Sequence, residues 1–146
     1  MSTRGVSAVT VGAIVVVGAA AVGFGLVRAF PALRNTHRTD GTCELRARAA
    51  VAGRVIALEN LDAVPWQDAR IVVRGFEHVA GRSAPTGPHE TTRPTVDRGL
   101  NAIGVDSLQT STGARWSALT MQPAEVEIVA TLRGEPCRAA IDFPAR

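Results

Sequence analysis

The chain has 146 residues, a formal net charge of +3, two cysteines, no tyrosine and an aromatic fraction of only 4%. Its apolar first thirty or so residues leave about 105 for a folded region, enough for one domain with a modest core and too few for two. All sixteen basic residues are arginine, spread among Asp and Glu with no stripe and no interleaved stacking aromatics, a pattern that excludes a nucleic-acid footprint.

Residues 1–5 form a short tail carrying Arg4. From Val6 the sequence VSAVTVGAIVVVGAAAVGFGLV runs to Val27 without a charge, broken only by Ser7 and Thr10. As a helix it measures roughly 33 Å, enough to cross a hydrocarbon core of about 30 Å. A domain of this size cannot wrap a helix that is apolar on every face. The expectation is therefore a single transmembrane helix over 6–29, with the lipid bilayer as its partner. Ala19 and Ala21 make an A-x-A pattern suited to signal-peptide cleavage. Cleavage after Ala21 would leave the apolar terminus VGFGLV, so an uncleaved signal anchor is the preferred reading. Small residues four apart (Ala8 and Gly12, Ala19 and Gly23, Ala21 and Gly25) would permit helix–helix association in the membrane. Orientation is contested. Arg28, Arg34 and Arg38 outweigh Arg4 and argue for a cytoplasmic domain, whereas a short basic tail before an apolar run is the layout of a signal anchor with an extracytoplasmic domain. The second arrangement is adopted, a single-pass protein of the cell membrane.

Residues 30–42 (FPALRNTHRTDGT) are polar and turn-rich and read as a juxtamembrane linker. The domain occupies 43–146. Cys43, Leu45, Ala47, Ala49 and Val51 alternate with Glu44, Arg46 and Arg48, the period of a half-buried strand. Gly53 then marks a bulge or tight turn before Ile56 and Leu58. Asn60 to Gln67 (NLDAVPWQ) is a connection with Trp66 at its end, and Ala69, Ile71 and Val73 alternate with Arg70 and Arg74 in the next strand. Ala80 to Gly99 holds three prolines, three glycines and four threonines, and is expected to be the longest irregular stretch, a mobile or binding loop. Short strands are expected around Leu100 to Val105 and Arg115 to Leu119, with a Thr112-Gly113 turn between them. Val126, Ile128, Ala130 and Leu132, then RGEP, then Cys137, Ala139, Ile141 and Phe143 describe a hairpin with one apolar face. Six or seven short strands without an amphipathic helix predict an all-β, two-sheet sandwich.

Cys43 and Cys137 fall in the first and last expected strands, each on the apolar face. A bridge between them would close a loop of about 95 residues; in a reducing compartment they would instead be two buried thiols. The bridge is the preferred alternative, and it is tied to the extracytoplasmic placement.

The segments IALENLDAVPWQDARIVVRG (Ile56 to Gly75) and GARWSALTMQPAEVEIVA (Gly113 to Ala130) resemble a pattern in small bacterial membrane-anchored or secreted immunoglobulin-like domains of unknown function. There a strand ends in Asn, a short loop carries Trp, and a Gly-x-Arg-aromatic turn precedes a closing strand. The resemblance covers about a third of the domain. It implies an immunoglobulin-like sandwich and carries over no catalytic residues.

His37, His78 and His89 belong to no spaced metal signature, and His89 beside Glu90 reads as a solvated loop histidine. The serines lack a nucleophile elbow, and Asp62, Asp68, Asp97 and Asp106 have no spacing that pairs them for acid–base work. The expectation is a non-enzymatic protein without cofactor or metal, an accessory or binding module facing an unidentified protein or envelope partner. Two further readings stay open: a small structural subunit of a larger membrane complex, and an anion-binding domain using Arg82, Arg93 and Arg98 of the 80–99 stretch. Trp66 and Trp116 pack in or at the rim of the core, or else form an exposed partner contact.

Overall fold

A computed structural model describes residues 36–37 and 43–143. The membrane helix expected over 6–29 and most of the linker lie outside these residues. Among the described residues no helix is long and apolar enough to cross a membrane. The elements are β1 (Thr36–His37), β2 (Ala47–Ala52), β3 (Val55–Asn60), β4 (Trp66–Val79), β5 (Arg82–Pro85), β6 (His89–Val96), β7 (Gly99–Gly104), a single 3-10 turn at Val105–Ser107, β8 (Met121–Leu132) and β9 (Glu135–Asp142).

Turn chemistry sets the hairpins. β2 and β3 are joined through Gly53, which adopts a φ of 58° that only glycine takes at no steric cost. Ala80-Gly81 and Arg133-Gly134 each place two successive residues at positive φ, the two-residue turn whose twist matches paired strands. They link β4 to β5 and β8 to β9.

The chain forms two antiparallel sheets. The larger runs β1-β9-β8-β4-β5, with β6 also on β4, and the smaller runs β2-β3-β7. β5 and β6 both lie along the same side of β4, β6 pairing with residues 66–73 and β5 with residues 76–79. The stretch expected to be irregular, Ala80 to Gly99, is thus the second arm of a long hairpin. Its prolines are compatible with this because an edge strand can leave a backbone donor unused, and the Ala80-Gly81 turn carries no Asn or Asp to announce it. Arg115 to Leu119, expected as a strand, supplies one isolated bridge from Arg115 to Gln109 and then turns.

Side chains alternate as strand geometry requires. Ala47, Ala49, Ile56, Leu58 and Ile103 face inward from the smaller sheet, and Ile71, Val73, Val126, Ile128, Ala130, Ala139 and Ile141 from the larger one. Trp66, Leu45, Val105, Leu108 and Trp116 close the same core. Burial of each large aliphatic contributes about 1.5–3 kcal/mol, so this one cluster is the main source of cohesion.

Cys43 and Cys137 form a disulfide. Cys43 precedes β2 and runs beside β9: the Arg138 N–H donates to the Cys43 carbonyl at 3.3 Å, and the Leu45 N–H donates to the Arg138 carbonyl at 2.8 Å. The lead-in therefore pairs with the larger sheet before the chain crosses to the smaller one as β2.

Candidate functional site

The sequence singled out Trp66, Trp116 and His89, and the fold puts all three inside. The Asn60 side chain is buried at the end of β3, where its amide donates to the carbonyls of Val64 (3.1 Å) and Val96 (3.3 Å) and its oxygen accepts from the Asp62 N–H (2.9 Å). Asp62 in turn accepts from the Trp66 indole N–H at 2.8 Å and from the Arg46 N–H at 3.1 Å. The NLDAVPW segment is thus a lock that seats Trp66 in the core. Trp116 is also buried, packed edge-to-face on His89 with ring centres 5.2 Å apart at 84°. The exposed contact role considered for the two tryptophans is therefore not available to them.

His89 is likewise no solvated loop residue. It opens β6 and is buried, with Nδ1 2.9 Å from the Gly87 carbonyl. A carbonyl only accepts, so Nδ1 donates to it, and Nε2 has no partner among the described residues. Its short polar neighbours in the sequence suggested a loop; the partner that covers it comes from a segment more than twenty residues later.

The three arginines proposed for an anion do not converge. Arg82 is opposite Val79 and Arg93 is opposite Ala69, ten residues along β4 and so roughly 30 Å apart. Arg98 lies in the turn between β6 and β7. Among the described residues no group of three or more His, Cys, Asp or Glu side chains could hold a metal ion.

The outer face of the larger sheet is a lattice of opposite charges. Arg74 contacts Glu125 at 2.7 Å and Glu127 at 3.1 Å, Arg70 contacts Glu90 at 3.5 Å, and Arg138 contacts Glu127 at 3.9 Å. Hydrogen bonding to Glu127, opposed by partial desolvation and assisted by Glu125, holds the Arg74 guanidinium above its ordinary pKa. These pairs are solvated and satisfy one another, so the face offers little to a partner.

Two other surfaces are unlike it. The first is the outer face of the smaller sheet and the edge it ends on at β7. Val55, Leu100 and Ala102 are exposed there, beside Ala50, Ala52 and Ala57, and the face carries an ion pair, Arg48 with Glu59 at 3.9 Å, opposite Leu100. The Val105 N–H donates to the Arg54 carbonyl at 3.0 Å, which fixes the hydrogen-bond phase: residues 101 and 103 turn their backbone groups to β3, while Leu100 and Ala102 turn theirs outward. Nothing among the described residues pairs with that side of β7. Sheet edges are commonly guarded by charge or proline. The β5 and β6 edge has Arg82, Pro85, Arg93 and Pro94, and Gln109 covers it at Glu90. The β7 sequence GLNAIG has neither guard. That absence was legible in the sequence, but not that β7 would be an edge.

The second surface is the arm formed by the end of β4 and β5. All of β5 is exposed, as are Phe76 (41%) and Val79 (55%). The His78 N–H donates to the Thr120 carbonyl at 2.7 Å, which brings the Ser117 to Thr120 turn alongside, and there Leu119 is 98% exposed. Among the described residues, three of the five exposed large apolar side chains are at this end. Comparison of the chain with protein-family models, with curated proteins and with solved structures finds no match.

Proposed function

We propose that the chain is a membrane-anchored, non-catalytic binding module whose sandwich captures an extended segment of a partner protein by strand addition at β7. The observation that carries this reading is the β7 edge, free of charge and proline, with outward backbone groups at Leu100 and Ala102 whose side chains are exposed. Main-chain hydrogen bonds would give affinity, and alternate apolar side chains of the incoming strand would lie beside Leu100 and Ala102.

The anchor over 6–29 rests on the uncharged apolar run from Val6 to Val27. What supports an extracytoplasmic domain is the Cys43–Cys137 bond, since disulfides persist in oxidising compartments. What supports an immunoglobulin-like assignment is the strand order, with β2, β3 and β7 in one sheet and β9, β8 and β4 in the other, together with a buried Trp at the start of the third sandwich strand. The disulfide departs from the antibody pattern, because it joins the lead-in to the last strand rather than β3 to β8.

A photo-crosslinker at Leu100 in the full chain, used in native membranes, tests the edge. Ala102→Pro removes an outward N–H and leaves the β3 ladder in place, so the adduct should vanish; Ala102→Ser should keep it. An adduct that persists in the folded Ala102→Pro protein would sink the strand-addition reading.

A further inference from the structure

The β4–β5 arm lies at the end of the sandwich where the chain enters it. β8 begins at Met121 opposite Glu77 on the arm, and β9 runs back toward that end, its Asp142 opposite Glu125. β1 is antiparallel to β9, with Thr36 opposite Ile141 and His37 opposite Ala140. Thr36 is therefore the residue of β1 nearer the arm. Through Ile141 and Val126, Thr36 stands level with Val73, and Val79 at the arm's end is six residues further along β4. At about 3.3 Å per residue the arm extends roughly 20 Å past that level.

The expected membrane span ends at position 29, so six residues separate it from Thr36. Six residues can span at most about 20 Å. The two lengths agree. A bilayer surface reached by the tether lies within range of the arm's end, where Phe76, Val79 and Leu119 are exposed and where Arg82, opposite Val79, supplies a cation for anionic headgroups. A nearly fully exposed leucine in a turn costs apolar hydration unless something covers it, and partial insertion of such groups into the headgroup boundary recovers that burial.

We infer that the arm end, through Val79 and Leu119 with Phe76 behind them, inserts into the lipid interface of the same membrane that holds the anchor. The inference rests on the reading of 6–29 as a membrane span. It gives the domain a second attachment point to the membrane.

The test uses the full chain reconstituted into phosphatidylcholine–phosphatidylglycerol vesicles containing shallow-brominated lipid. The native Trp66 and Trp116 are buried, out of reach of the brominated lipid, and the emission of the unsubstituted chain is subtracted. Single variants Leu119→Trp and Val79→Trp should each add emission at shorter wavelength than that of a water-exposed tryptophan, and lose much of the added emission to the brominated lipid. Arg133→Trp, in the turn at the opposite end of β8, should do neither. Resistance to alkaline carbonate extraction is scored first. Extractable protein overturns the anchor reading and the arm contact with it. Protein that resists extraction but shows no quenching at positions 79 and 119 overturns the arm contact alone and assigns those residues to a protein partner. Equal quenching at position 133 also overturns it, since the domain would then lie on its side.

Discussion

At the scale of single residues, Asn60 does more than any other polar group to define the fold. It is buried, and each of its side-chain atoms is matched to a backbone group that strand pairing leaves over. Removing it strands the Val96 carbonyl and the Asp62 N–H in a dry site, and frees the loop that holds Asp62 against the Trp66 indole. Asn60→Ala should cost about 2–4 kcal/mol, read as a fall in the urea midpoint with little change in slope. His89 is the contrasting case: its Nδ1 is satisfied and its Nε2 is not. The sequence announced Asn60 as turn chemistry, which was right about the bend and silent about burial. For His89 it was misleading, because a polar, proline-flanked neighbourhood hides a residue covered from a distant segment.

At the scale of elements, the long β4 hairpin has its root at Gly75. The Gly75 N–H donates to Thr86 Oγ1 at 3.1 Å, and the Thr86 N–H returns to the Gly75 carbonyl at 2.7 Å, bridging the break between β5 and β6. Here the β4–β8 register also shifts, and a Cβ added at Gly75 would overlap the Gln122 carbonyl. The backbone atom cannot move aside without opening the ladder. Gly75→Ala should therefore destabilise by about 1–3 kcal/mol, with faster amide exchange along Phe76 to Pro85 than along Ile71 to Val73. The strands from Val126 onward were readable because one face is apolar and the other charged, with a Gly at the turn. β5 and β6 were not, since edge strands that bury little need no apolar period and can hold proline.

At the scale of the whole molecule, the disulfide closes the chain on itself across 94 positions, tying the lead-in at Cys43 to the last strand. In the chain-entropy model such a loop contributes about 4–5 kcal/mol, against a total of about 5–15 kcal/mol for a domain. Replacing both cysteines by serine should lower the unfolding free energy by that amount, and adding reductant to the native protein should shift its urea midpoint to match. The same bond ties the lead-in to β9, on the β1 side of the larger sheet. The sequence by itself determined the apolar N-terminal segment, the all-β class, the apolar face of the closing hairpin and the pair of cysteines able to bridge, because charge, periodicity and residue chemistry are local properties. Which strand became an edge, which aromatics were covered and where the exposed leucine and phenylalanine met were decided only by the tertiary structure. Those depend on register and on strands brought together from far apart in the chain, and no local pattern encodes them.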